Sequence, residues 1–178
     1  MAEDHIRKGD TKNALKQYKK VCSRYEDLRD YETASYFYNR CLELSKESKN
    51  ARGEAKAYQG LGNCEEKVMN IFQAKSYLEM GLEKACDENL QDEVTTISTD
   101  LVRIYKIIAK DFQKNSEFDK AIKFFEDCLE ACRKAKLHEE EAQCYMEMGI
   151  IHEQMGDLDQ SVFFLNKFLD LCLKNNNK

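Results

Sequence analysis

Large apolar residues recur at spacings of three and four along nearly the whole chain, in stretches separated by short polar segments. These spacings place residues on one face of an α-helix, so each stretch predicts an amphipathic helix with one apolar stripe. A small residue stands within a stripe, and another stands twelve residues later in the next stripe. This offset occurs four times, in Cys22 and Ala34, Gly62 and Ala74, Ala109 and Ala121, and Gly149 and Ser161. The recurrence indicates an internal repeat.

Each repeat is typical of two antiparallel helices joined by a tight turn. The turn sequences are LRDY, MNIF, NSEF and MGDL, and each contains a polar residue that can accept a backbone N–H bond from the next helix. The small residues allow the two helices to approach closely, with bulky residues filling the grooves around them. The predicted capping residues are Asp30, Asn70, Ser116 and Asp157.

The third unit is longer than the others. The small residue of the second helix recurs at intervals of 40, 47 and 40 residues between Ala34 and Ser161. The seven extra residues equal about two helical turns. Val94 and Ile97 keep the helical spacing, so we predict a lengthened first helix over roughly Asp92–Lys114. A loop at this place is the alternative.

The repeat resembles the tetratricopeptide repeat, whose first helix runs W-x2-L-G-x2-Y and whose second contains A-x3-F. The segments YQGLGNCE from Tyr58 and YMEMGIIH from Tyr145 come closest in the first helix. DYETASYFYNRCL and FDKAIKFFEDCL come closest in the second, while the closing proline is absent and Tyr replaces the opening Trp. The resemblance implies an all-α fold, a right-handed superhelical array of antiparallel helix pairs (a tetratricopeptide repeat solenoid) with about four repeats.

We expect residues 1–11 to form an N-terminal extension or cap and residues 12–178 to form the array. Asn13–Leu28 fits the first helix of the first unit, although the segment from Lys8 also resembles a turn and second helix. No polar capping helix follows the final LKNNNK, and arrays need capped ends for solubility. This pattern indicates either a fragment of a longer array or an end that packs on a partner. The expected units are 12–50, 51–90, 91–136 and 137–174.

The composition narrows the class of protein. The chain is 42% hydrophobic and 34% charged, its apolar runs are too short to cross a bilayer, and its first ten residues lack the apolar stretch of a signal peptide. We therefore expect a cytoplasmic protein with reduced thiols and no membrane partner. The net charge of −5 argues against nucleic acid as a partner. We interpret aromatic pairs such as Phe124-Phe125 as core residues. One ring of each pair is expected to pack within its own helix pair, and the neighbouring ring is expected to pack against the adjoining unit.

No constellation of catalytic residues stands out, so we predict that the protein is not an enzyme and binds no cofactor. The three histidines lie near no nucleophile motif, and we interpret His152 as a packed core residue. Gly62 lies within a helix rather than in a phosphate-binding loop. Cys128 and Cys132 are one turn apart, but zinc sites bring ligands from two places. We therefore predict no metal site.

The resemblance implies that the first helices line a concave face on which a partner segment binds. Basic side chains on that face would attract an acidic segment, although they could equally be a solvated surface. Asn63 matches the asparagine with which the family often holds a peptide backbone, whereas Ser23 and Gly60 replace two asparagines of a complete carboxylate clamp. The predicted partner-binding groove consists of Lys16, Lys19, Lys56, Gln59, Asn63, Arg103, Lys106 and Lys110.

These features together predict a noncatalytic scaffold that binds a protein or peptide partner. The alternative is a structural subunit that self-associates or joins a larger assembly. Its docking end would be Phe164, Phe168 and Leu171. The long units and frequent cysteines also resemble axonemal tetratricopeptide repeat proteins, which implies a role in assembling complexes of the cilium or flagellum.

Overall fold

The computed structural model describes residues 10–176, in which every regular element is an α-helix. The helices follow one another as antiparallel pairs, and the all-α array of helix pairs is confirmed. The extension or cap expected at residues 1–11 falls almost wholly outside the described residues. The helices are α1 (Thr11–Asp27), α2 (Tyr31–Glu47), α3 (Ala51–Lys67), α4 (Ile71–Asp87), α5 (Gln91–Lys114), α6 (Phe118–Ala135), α7 (His138–Gln154) and α8 (Leu158–Asn176).

The chain divides into two compact units, Met1–Ile97 and Ser98–Lys178, and the division falls within α5. The helix α5 is continuous over 24 residues, so the lengthened first helix is confirmed and the loop alternative is wrong. In the first unit, one buried apolar cluster joins α1, α2 and α3. In the second, fully buried residues of α5, α6 and α7 form the core, with Ile104, Phe125 and Ile151 among them.

The turns between helices share one backbone conformation. In each of them a residue adopts the left-handed conformation, for example Arg29 with φ 58° and Gly156 with φ 81°. In the first turn, the N–H of Asp30 donates to the carbonyl of Tyr25 and the N–H of Arg29 donates to that of Glu26, each at 2.9 Å. This arrangement satisfies the last carbonyls of the preceding helix. Only one of these positions is glycine; the others are Arg29, Lys49, Met69, Asn89, Ser116 and Lys136.

Two of the four predicted caps are confirmed. The Asp30 carboxylate accepts from the N–H of Thr33, and the Asp157 carboxylate accepts from that of Gln160, each at 3.1 Å. The Asn70 prediction is wrong, because its amide donates to Glu65 instead of capping α4. The Ser116 prediction is also wrong, because Ser116 takes the left-handed turn position and leaves Glu117 as the N-terminal flanking residue of α6.

The small residues lie where the two helices of each pair cross. Ala34, Ala74 and Ala121 are fully buried, and Ser161 is 4% exposed. A Cβ atom built at Gly62 would lie only 3.1 Å from the carbonyl oxygen of Ala74, its partner twelve residues later. The crossing therefore depends on the absence of a side chain, as the spacing predicted.

Aromatic rings pack within each helix pair. Phe37 stacks on Tyr25 with centroids 5.9 Å apart, and Phe124 stacks on Phe112 at 5.6 Å. The expectation that these rings face the adjoining unit is therefore wrong, since each faces the first helix of its own pair. His152 follows the same rule by stacking on Phe164 at 5.2 Å, which confirms its interpretation as a packed core residue.

Candidate functional site

Two lysines of the predicted groove tie α5 to α7 in the second unit. The ammonium of Lys106 pairs with the carboxylate of Glu140 and donates to the amide oxygen of Gln143 at 2.8 Å. One turn further on, Lys110 Nζ lies 2.6 Å from Glu147 Oε1. Since α5 and α7 are the first helices of consecutive pairs, these contacts hold neighbouring pairs together.

The environment of Lys106 keeps its side chain charged. Burial by itself would lower the pKa of the ammonium, but the hydrogen bond to Glu140 and the charge of that carboxylate raise it above its ordinary value. Lys106 is therefore a fixed positive charge whose partner is already supplied by α7.

A similar ion pair occurs in the first unit, between α3 and the start of α5. Glu93 is only 2% exposed, and its Oε1 atom lies 3.2 Å from both Arg52 Nε and Lys56 Nζ. The predicted groove residue Lys56 thus neutralises a buried carboxylate. Arg103 also has an acidic partner, Asp100 Oδ1, at 3.1 Å on the preceding turn of α5.

The basic residues of this face are evident in the sequence, but the carboxylates that pair with them were not predicted. Those carboxylates are Glu93, Glu140 and Glu147. Each lies on the first helix of the helix pair that follows the pair carrying its basic partner, on α5 or α7. The seven-residue spacing of Glu140 and Glu147 was the available signal, because it places both on one face of α7.

Helix α1 presents a different electrostatic surface. No acidic residue occurs between Thr11 and Arg24, and the exposed lysines there form no ion pair with any carboxylate of the described residues. Lys16 and Lys19 border two adjoining clefts of about 500 Å³ and 450 Å³. The basic residues of this surface are Lys12, Lys16, Lys19, Lys20 and Arg24.

The remaining groove residues of the first unit are partly buried. Gln59 and Asn63 lie one turn apart on α3, and each already makes a polar contact. Helix α3 contributes Ala57 and Leu61 to the buried cluster that also contains Leu15 and Tyr18 of α1. The two helices thus share a core.

A separate cavity of about 520 Å³ lies in the second unit. Its walls are mainly apolar stems of α5, while Glu140 and Leu137 close it from the start of α7. The lysines Lys106 and Lys110 border it, but their ammonium groups already contact carboxylates.

The last helix carries an unpartnered apolar stripe. Val162, Leu169 and Leu173 are 58%, 52% and 63% exposed, and their spacings of seven and four place them on one face of α8. The three residues predicted as a docking end are half-buried. They are Phe164, Phe168 and Leu171. None of the described helices combines the length and the apolar character needed to span a bilayer.

Comparisons with known proteins agree with this architecture. Residues 100–174 match the family model described as tetratricopeptide repeat. Tetratricopeptide repeat protein 29 of Trypanosoma brucei brucei is 23% identical over 163 residues, which cover 88% of this chain and 34% of that protein. The chain therefore spans about a third of the length of this curated relative.

Two solved structures show the same fold. BtubC from P. vanneervenii matches 99% of this chain and 79% of its own at 15% identity, with a TM-score of 0.55. The Rap protein complexed with competence and sporulation factor matches 93% of this chain and 58% of its own at 14% identity, with a TM-score of 0.52. Proteins with tandem repeats of this kind typically act through extended binding surfaces rather than catalysis. The helix pairs and their buried small residues have the architecture of a tetratricopeptide repeat array, and residues 100–174 match that family.

Proposed function

We propose that this protein is a noncatalytic scaffold that binds an acidic segment of a partner protein on the exposed face of α1. The observation that carries the proposal is the row of lysines on α1 that lacks intramolecular carboxylate partners among the described residues. Unpaired cations on a rigid helix attract an acidic segment and lose little side-chain freedom when they bind it.

The other basic residues of the predicted groove support this choice by contrast. Lys56, Lys106 and Lys110 already pair with glutamates, so an acidic ligand would have to displace an existing ion pair. On α1, Lys16 and Lys19 offer charge beside open clefts. In this proposal Gln59 and Asn63 contribute hydrogen bonds to the backbone of the bound segment.

The test is a charge reversal with a matched control. In K16E/K19E two positive charges of α1 become negative, and in K67E/K123E the same change is made at exposed lysines of α3 and α6. Binding of a fluorescein-labelled poly-glutamate peptide is followed by fluorescence anisotropy at several salt concentrations.

We expect the wild type and K67E/K123E to bind the peptide with an affinity that falls as salt rises. K16E/K19E should lose at least tenfold in affinity and most of the salt dependence. Equal affinities of the two double variants would refute the proposal. Circular dichroism of each variant checks that the helices are retained.

The apolar stripe on α8 favours a second candidate function, docking of another repeat or subunit. Exposed apolar residues in one contiguous stripe are typical of interaction sites. Sedimentation velocity over a concentration series tests this candidate with L169K/L173K. Association that the wild type shows and this variant lacks would support docking, whereas a monomer at every concentration would contradict self-association.

We also propose that the scaffold acts in complexes of the cilium or flagellum. The support is the resemblance of its long units to axonemal tetratricopeptide repeat proteins and its similarity to tetratricopeptide repeat protein 29. A tagged chain expressed in ciliated cells should remain in detergent-extracted axonemes. Complete release into the detergent-soluble fraction would contradict this assignment.

A further inference from the structure

Three cysteine side chains converge between α6 and α7. Cys128 and Cys132 lie one turn apart on α6, and Cys144 of α7 completes the group, with all three sulfur atoms within 4.8 Å of one another. The Sγ atoms of Cys128 and Cys144 are 3.2 Å apart. The prediction of no metal site rested on ligands from one place only, and Cys144 supplies the ligand from a second place.

We propose that Cys128, Cys132 and Cys144 form a binding site for one thiophilic divalent cation, with Zn²⁺ as the expected ion. Sulfur atoms bound to a common Zn²⁺ at about 2.3 Å lie about 3.8 Å apart in tetrahedral geometry. The three sulfurs lie within 4.8 Å of one another, with one pair at 3.2 Å, so binding needs side-chain adjustments rather than movement of the helices.

Cysteine binds a metal ion as the thiolate, so loading of the site releases protons from the three thiols. The Lys106 ammonium interacts electrostatically with Cys132 and Cys144 and favours their charged forms. Three thiolates and one Zn²⁺ leave a single negative charge near the Lys106–Glu140 pair.

The cavity of the second unit lies beside the site. Lys106 and Glu140 border that cavity and interact electrostatically with Cys132. The Val102 carbonyl oxygen, from another residue of the cavity wall, is 3.7 Å from Cys128 Sγ. Opening of the Lys106–Glu140 pair would admit an ion and leave its fourth coordination position facing the cavity.

The first unit provides a matched control. Cys41 is as buried as Cys144 and hydrogen-bonds to another cysteine, Cys22. However, the thiols of the first unit do not form a three-ligand group within the part of the chain that the structure describes. Replacing Cys41 by alanine therefore imposes a similar packing loss without removing a proposed ligand.

The experiment titrates the reduced, tag-free full chain with Co²⁺, which reports thiolate ligation through a charge-transfer band and tetrahedral geometry through its visible bands. We expect one Co²⁺ per chain, displaced by Zn²⁺, in the wild type and in Cys41→Ala. Cys144→Ala and Cys132→Ala should each lose the band or weaken binding at least a hundredfold.

A second measurement guards against variants that fail to fold. In the wild type, Zn²⁺ should protect Cys128, Cys132 and Cys144 from alkylation while leaving the exposed Cys86 reactive. The proposal is overturned if the fully reduced wild type gives no charge-transfer band. It is also overturned if Cys144→Ala, with native circular dichroism, keeps wild-type affinity, or if alkylation of the three thiols is unaffected by Zn²⁺.

Discussion

Adding one methyl group at Gly62 tests how tight the helix crossings are. A Cβ at Gly62 would lie 2.7 Å from Leu78 Cγ and 3.1 Å from the carbonyl oxygen of Ala74. Leu78 is fully buried, so its side chain has no free volume into which to turn. The Ala74 oxygen belongs to the backbone of α4 and can move only with the helix. Gly62→Ala should therefore force α3 and α4 apart or strain Leu78.

The same change at Gly149 is the matched comparison. Its Cβ would lie 2.9 Å from Leu165 Cγ and 3.4 Å from the carbonyl oxygen of Ser161. The crossing has the same geometry, but Leu165 is only half-buried and can rotate towards solvent. The two substitutions therefore differ mainly in whether the leucine side chain contacted by the new methyl group can move away.

The change in the free energy of unfolding is the sum of two opposing effects, higher helix propensity and overpacking. Replacing a helical glycine by alanine favours the helix by about 1 kcal/mol, and this gain is the same at both sites. Overpacking costs about 1–3 kcal/mol, towards the upper end where the neighbour cannot move. We expect Gly62→Ala to lower the free energy of unfolding by about 1–2 kcal/mol and Gly149→Ala to leave it nearly unchanged.

Urea unfolding followed by circular dichroism measures both free energies. Because repeat arrays can unfold in parts, amide hydrogen exchange of α3–α4 and of α7–α8 should accompany it and report on each crossing separately. The reasoning is refuted if the two substitutions change the free energy of unfolding equally, or if Gly62→Ala stabilises the protein.

Three further predictions concern stability. Met69→Gly should raise the free energy of unfolding by up to about 1 kcal/mol in urea unfolding, since Met69 is exposed and has a left-handed φ of 65°. R52Q/K56Q should lower the thermal midpoint more than Glu93→Gln, because the double change leaves the buried Glu93 carboxylate unpaired; the reverse order would contradict this. Burial raises the pKa of Glu26, so the folded chain binds this proton more tightly than the unfolded chain and stability falls as pH rises through that pKa. Glu26→Gln should flatten this part of the pH–stability curve.

The helices were predictable from the sequence because their signal is local. Each apolar stripe repeats within one helix, so even the unusual length of α5 follows from the unbroken spacing of Val94 and Ile97. The caps were predictable only in part. A shift of one residue in the turn gave Ser116 the left-handed position, and polar residue types alone do not distinguish these two places.

Which basic side chains of the predicted groove already have a carboxylate partner was not predictable in the same way. Whether Lys106 is available to a ligand depends on Glu140 of the next first helix, 34 residues away. No periodicity within α5 contains that information. Lys16 and Lys19 differ from Lys106 in what neighbouring helices place beside them, which is why the composition of a face does not by itself define a binding site.

The thiol group shows which long-range contacts could be read from a sequence. In an antiparallel pair, residues equally distant from the turn lie opposite each other. The turn between α6 and α7 centres on Lys136, and Cys128 and Cys144 stand eight residues before and after it. By the same rule Cys132 lies opposite Glu140, the residue that pairs with Lys106. Once the turn is located, therefore, the convergence of the third thiol follows from counting, whereas the distances between the sulfur atoms depend on the packing that the fold creates.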